Sequence, residues 1–300
     1  MTTKITFVGM PEVGKTTIKK VIFEGEDPNK LVLFPLEASV RIDYSVHEFM
    51  DSKIVLIDTP GQSLSDLLKD EEKQRKSFEN ANAIIYIFDY PTYIENSEDI
   101  INDIRSIYNI NKKHEFGAKI ILFLHKVDLI IAKKIGFKLA IVKKQINKLL
   151  SLPEELSIHF TSLHPNLIYT IYNALSDTVG TFSEEISNLK DLIKKLIKNL
   201  SKTISLVSNK EDNLIIQLMS DDFDTSILFS LYEKIYKLSS SPDDLLSKSN
   251  LIILDSKILH AVSANISVFN ANFKNITFLS ETLERNELDH LIGEIKEILN

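Results

Sequence analysis

Apolar residues gather into short strand-like runs in the first half of the chain, Lys4 to Val8, Ile54 to Asp58, Ala83 to Asp89 and Ile120 to Leu124, several of them continuously apolar. Strands covered by helices on both faces have this pattern, because neither face can be left polar. Thr16 to Phe23, Ile100 to Ile110 and Phe137 to Leu150 instead carry apolar residues at three- and four-residue spacing, which predicts the covering helices. Arg41 to Phe49 alternates, and a short turn at Asp51-Ser52 joins it to Lys53 to Ile57, so an edge strand hairpinned onto the sheet is expected. The rhythm of strand and helix is that of an α/β unit with a mostly parallel sheet.

Near Val179-Gly180 the rhythm changes. Phe182 to Leu200 reads as an amphipathic helix, followed by strands near Ile204 to Val207 and Leu214 to Met219, a helix from Thr225 to Leu238, and a breaker at Ser239-Ser240-Ser241-Pro242. Leu251 to Leu254, Ile258 to Ser263, Ile266 to Asn270 and Asn275 to Leu279 read as further strands, and Leu283 to Leu299 as a closing helix. The expected domains are therefore 1–182, α/β, and 183–300, smaller and α+β. The aromatics Phe229, Tyr232 and Tyr236 recur at helical spacing, which suits a core or a dimer interface. No internal repeat of solenoid length is present.

Composition narrows the classes. A chain of 300 residues is long enough for two domains, and 44% hydrophobic with 26% charged residues supports sizeable cores. The net charge of -7 disfavours a nucleic-acid partner, which needs clustered Lys and Arg. With no cysteine, disulfides, thiolate metal sites and thiol catalysis are excluded, and a cytoplasmic setting is the simplest expectation. No signal-peptide pattern, lipidation motif or apolar run of about 18 residues is found, so membrane contact is expected only peripherally, through partners, and not by insertion. Lys133, Lys134, Lys138, Lys143, Lys144 and Lys148 make one helix basic, which reads first as a solvated face and second as a contact for an acidic partner or membrane surface.

Gly9-Met-Pro-Glu-Val-Gly14-Lys15-Thr16 fits G-x-x-x-x-G-K-[ST], with a strand before it and a helix after it, the context a phosphate-binding loop requires. In such a loop the backbone N–H groups of Glu12, Val13, Gly14, Lys15, Thr16 and Thr17 surround phosphate oxygens, the Lys15 ammonium reaches the outer phosphates, and the Thr16 hydroxyl ligates Mg2+. Asp58-Thr-Pro-Gly61-Gln62 follows an apolar strand where P-loop proteins place a magnesium-holding acid. Asp58 is the metal candidate, Gly61 offers an N–H to the γ-phosphate, and Gln62 is the catalytic candidate that orients the attacking water. His125-Lys-Val-Asp128 resembles the N-K-x-D guanine box with His in the Asn position. Asp128 would accept from guanine N1 and N2, donors adenine lacks; Lys126 would lie along the base; and His125 would tie this loop to the phosphate loop. Thr161-Ser162-Leu163 stands where the last base-contacting turn is expected, with Ser162 and Leu163 as nucleotide-binding candidates.

Together, Leu36-Glu-Ala-Ser39, Asp58-Thr-Pro-Gly-Gln62, Tyr86-Ile-Phe-Asp89 and His125-Lys-Val-Asp128 resemble the Rag/Gtr family of small GTPases, and the second half is similar in plan to that family's roadblock (longin-like) domain. The resemblance implies a P-loop G domain binding GTP or GDP with Mg2+, followed by a dimerisation domain that pairs with a second copy or a related GTPase. It also implies roadblock-protein scaffolds, activating and exchange proteins, and nutrient-linked control at a membrane. Ser39 would then lie in switch I as a magnesium and nucleotide ligand. Pro11, Glu12 and Ser39 depart from the usual pattern, so slow hydrolysis is expected. The rival reading is a scaffold stabilised by nucleotide with negligible turnover; a third, a P-loop kinase or ATPase, is disfavoured by Asp128.

Overall fold

A computed structural model describes residues 2–33, 36, 41–49, 52–129, 139–164, 167–180, 184–208, 214–220, 251–255, 260–267 and 273–299. The chain divides into two compact units, Met1–Ala174 and Leu175–Asn300.

In the first unit a six-stranded sheet runs in the order β2-β3-β1-β4-β5-β6. Its strands are β1 (Thr2–Val8), β2 (Asp43–Phe49), β3 (Ser52–Asp58), β4 (Ala83–Asp89), β5 (Lys119–His125) and β6 (Ser157–Phe160). β1 pairs in parallel with both β3 and β4, and β4, β5 and β6 continue in parallel. β2 alone is antiparallel, pairing with β3 from Asp43↔Asp58 to Phe49↔Ser52, as its alternating pattern predicts. Every residue of β4 is buried, the reason its sequence shows no polar alternation.

The covering helices are α3 (Leu64–Lys69), α4 (Glu71–Phe78), α5 (Tyr90–Lys113) and α6 (Leu139–Leu150). α5 starts at Asp89, whose side chain caps it by accepting from Thr92 N, and departs from helical geometry at Asn96. Ile100, Ile104 and Ile107 along it meet Ile84, Tyr86 and Leu122 of the sheet in one core. Two expectations need correction. The segment Thr16 to Phe23 is not one regular helix: α1 covers Lys15–Ile18 and gives way to a wider π turn at Lys19–Phe23, where Lys19 is drawn into ion pairs with Glu24 and Asp43. α5 begins ten residues before Ile100, its first turns held by the Asp89 cap and by Tyr93 packed against Phe88. Pro28–Leu33 forms a further short helix, α2. All the parallel strands end on one edge of the sheet, where open α/β sheets bind ligands.

α7 (Tyr169–Gly180) spans the division between the units. The second unit carries an antiparallel sheet of order β8-β7-β11-β10-β9, built from β7 (Thr203–Ser208), β8 (Leu214–Met219), β9 (Leu251–Asp255), β10 (His260–Asn265) and β11 (Asn275–Ser280). α8 (Glu184–Ile197) packs on β7 and β8, α9 (Arg285–Leu299) packs on β10 and β11, and the two helices touch. Their buried residues Ile186, Leu189 and Ile193, and Leu288, Ile292 and Ile295, keep helical spacing. A strand at Ile266 to Asn270 is not formed at its start: Asn265 Oδ1 accepts from Ser267 N at 2.9 Å, turning the chain. Ile266 N then donates to Lys274 O and closes the hairpin. The expected helix Thr225 to Leu238, the Ser239 to Pro242 breaker and Ser39 lie outside the described residues.

Candidate functional site

The loop after β1 carries its cation inward. Lys15 Nζ donates to Gly9 O at 2.9 Å and to Met10 O at 2.7 Å, and the side chain is 5% exposed. Burial pushes its pKa down to about 8, with the Asp58 carboxylate opposing that shift. Val13 is buried, Thr17 is half-buried in α1, and Glu12 is exposed with φ 63, in the left-handed region.

Asp58 closes β3 beside this loop. Its Oδ2 accepts from the Thr16 hydroxyl at 2.6 Å, while Oδ1 is buried with no hydrogen-bond partner among the described residues. Burial raises its pKa, with the Thr16 hydrogen bond and the Lys15 charge acting against it. A divalent cation fits this arrangement, since a buried, unsatisfied carboxylate oxygen next to a hydroxyl is a hard-oxygen donor set. Three residues on, at Gly61, the absence of a side chain is a spatial requirement. A Cβ on Gly61 would stand 2.4 Å from Pro11 N and 2.6 Å from Met10 C, so only glycine lets this backbone lie against the phosphate loop. Gln62 follows on a 3₁₀ turn and is exposed.

The guanine-box segment is wired into the same loop. His125 ends β5 at 2% exposure, with its ring against Gly14, where an added Cβ would come within 2.9 Å of Cδ2. Its Nδ1 is 3.0 Å from Thr161 Oγ1, in a hydrogen bond whose donor is set by the tautomer. Burial, helped by the neighbouring Lys126 charge, pushes the imidazole down to about 4, so it is neutral at pH 7. Lys126, with φ 57, donates from Nζ to Glu12 O at 2.9 Å and to Asp89 Oδ2 at 2.6 Å. Glu12 and Lys126 are thus two left-handed non-glycine residues joined by one hydrogen bond, a conformation that persists where surroundings over-determine it. Asp128 Oδ1 accepts from the Ser162 hydroxyl, whose oxygen also accepts from His164 N at 3.0 Å. Leu163 is half-buried beside it.

The described contacts therefore connect Glu12, Gly14, Lys15, Thr16, Asp58 and Gly61 with His125 and Lys126, and join Asp128 to Ser162. Two residues of the network have no role in the motif reading. Thr161 is fully buried against His125, and Asp89 sits one strand over, in register with His125. The signal for Asp89 was an acid at the end of an apolar run, one residue before Tyr90-Pro91.

Comparison with known proteins agrees with this geometry. The chain is 26% identical over 253 residues to the Ras-related GTP-binding protein C of Mus musculus, and equally to that of Homo sapiens. These alignments cover 81% of this chain and 55% of each relative, so the chain spans little more than half the length of the relatives it matches. The family described as "Gtr1/RagA G protein conserved region" matches residues 4–238, and the chain belongs to that Gtr1/RagA G protein family.

Proposed function

We propose that this protein binds GTP and GDP with Mg2+ and acts as a slow, nucleotide-dependent switch. One observation carries the reading: the guanine-box residues His125 and Lys126 pack on and bond to Gly14 and Glu12 of the phosphate loop, so base and phosphate recognition form one structure.

Lys15 and the loop N–H groups bind the phosphates, and Asp128, positioned by Ser162, reads guanine. Thr16 and Asp58 would hold Mg2+, with Ser39 as a third ligand from switch I. An ion held there would supply neutralisation of the phosphate charge. Gln62, exposed on its turn, orients water, and Gly61 keeps the backbone beside the phosphate loop. Ordering of the loops around Ser39 and Gln62 would be the switch.

The G domain is taken as 1–182 and the second domain, 183–300, as a roadblock-like dimerisation module, pairing with a second copy or a related GTPase. Its strand order β8-β7-β11-β10-β9, with α8 and α9 touching over the sheet, supports that plan. Roadblock scaffolds and activating or exchange proteins are the partners expected, with a cytoplasmic setting, peripheral to a membrane through them. Single-turnover release of phosphate from GTP tests the switch. Slow release that falls further in Gln62→Leu supports it. Equal rates in both, with an activating partner present, favour the nucleotide-stabilised scaffold.

A further inference from the structure

Asp89 ends the Tyr86-Ile-Phe-Asp89 segment without a role of its own in the motif reading, yet it holds two elements at once. Its Oδ1 accepts from Thr92 N at 2.8 Å and caps α5, while its Oδ2 accepts from Lys126 Nζ at 2.6 Å. The carboxylate is nearly buried, at 6% side-chain exposure, whereas the Lys126 side chain is 35% exposed. The strand register places Asp89 directly opposite His125, so the acid reaches the guanine-box lysine with no loop intervening.

We propose that Asp89 is a positioning residue for guanine nucleotide: it fixes Lys126 so that its stem is set along the base edge, and thereby slows nucleotide release. This inference rests on the reading of the site as a guanine-nucleotide pocket. Lys126 has four rotatable side-chain bonds, and a lone point charge on so flexible a stem does not choose one orientation. Two acceptors choose it here, Glu12 O from the phosphate loop and Asp89 Oδ2 from β4. The Glu12 carbonyl supplies a neutral bond, and the Asp89 carboxylate a charge-assisted one, which is the stronger of the two. Burial works against the Asp89 charge, but the hydrogen bonds from Lys126 and Thr92 outweigh it and hold the carboxyl below its ordinary range. The acid is therefore present as the carboxylate the pair needs. Asp89 touches no nucleotide atom in this account; it acts through Lys126.

The two roles of Asp89 can be separated. Asparagine is as good a helix cap as aspartate, so Asp89→Asn keeps the Oδ1 acceptor for Thr92 N while placing a neutral group where Lys126 needs an anion. The experiment measures dissociation of a fluorescent GDP from the full chain by chase with unlabelled GDP, alongside the melting temperature. Expected is about ten- to a hundred-fold faster release in Asp89→Asn, the range for loss of a hydrogen bond to a charged group, with the melting temperature little changed. In a Lys126→Ala background, Asp89→Asn should add no further acceleration, a non-additivity that a purely structural role would not produce. If wild-type protein retains GDP and Asp89→Asn releases it at the wild-type rate, or if the two substitutions act additively, the inference is overturned while the pocket stands. If wild-type protein retains no guanine nucleotide at all, the underlying reading fails and the inference with it.

Discussion

His125 shows how a single substitution in a motif can be accommodated. The ring stands where an asparagine is usual, and it fits because Gly14 leaves room for it and Thr161 supplies a hydrogen bond inside the fold. The cost is a pH dependence. The unfolded imidazole titrates near 6.5 and the folded one at about 4, so between those values the unfolded chain binds more protons and stability rises with pH. The contribution is complete above about 6.5 and lost as pH falls toward 4, by up to about 3 kcal/mol. His125→Asn should flatten that part of the curve of urea midpoint against pH, and superimposable curves would show that burial of the ring is not the cause. Gly61 makes a second residue-level prediction. Gly61→Ala puts a Cβ into Pro11 and Met10 backbone atoms, which cannot swing aside as a side chain can, and should destabilise by about 1–3 kcal/mol in chemical denaturation. At this scale the motif residues were legible because their chemistry demands particular types at particular spacings. Thr161 and Asp89 were not assigned roles, since a threonine and a strand-end acid suit many structural purposes.

Among elements, legibility followed burial. The strands β3, β4 and β5 are read directly from nearly continuous apolar runs, because a strand covered on both faces leaves little choice of residue type, whereas β2 is read from its alternation although Tyr44 and Val46 on it are exposed. α4 gave no such signal: its sequence Glu71-Glu-Lys-Gln-Arg-Lys-Ser-Phe78 buries Gln74, Ser77 and Phe78, with Asp70 capping its first turn. The cap, not an apolar stripe, marks that helix. At Asn265 a polar side chain redirected the backbone inside what looked like a strand, showing that local hydrogen bonding can override β-propensity. α5 offers an internal comparison. Ile104, fully buried in the core, should lose about 2–5 kcal/mol as alanine, whereas Ile94, 61% exposed on the same helix, should change stability by less than about 0.5 kcal/mol. Thermal melting of the two variants decides this, and equal losses would contradict the core assignment.

For the whole molecule, the first unit's fold and the family were both legible in sequence, and the family match over residues 4–238 makes the assignment firm. The second unit was legible only in plan. Its strands pair antiparallel into one sheet, and the helix expected at Thr225 to Leu238 falls outside the described residues. If that unit dimerises, sedimentation of the chain, alone or mixed with a related GTPase, gives about twice the chain mass; the monomer mass in both experiments would contradict pairing. The central claim, however, is that the joined phosphate and base loops make a guanine-nucleotide site. Competition against fluorescent GDP in the presence of Mg2+ tests it most directly. GDP and GTP should displace the probe at concentrations at least about a hundred-fold lower than ADP and ATP, with that preference collapsing in Asp128→Ala. Equal displacement by adenine and guanine nucleotides, or a preference unaffected by Asp128→Ala, would contradict the account.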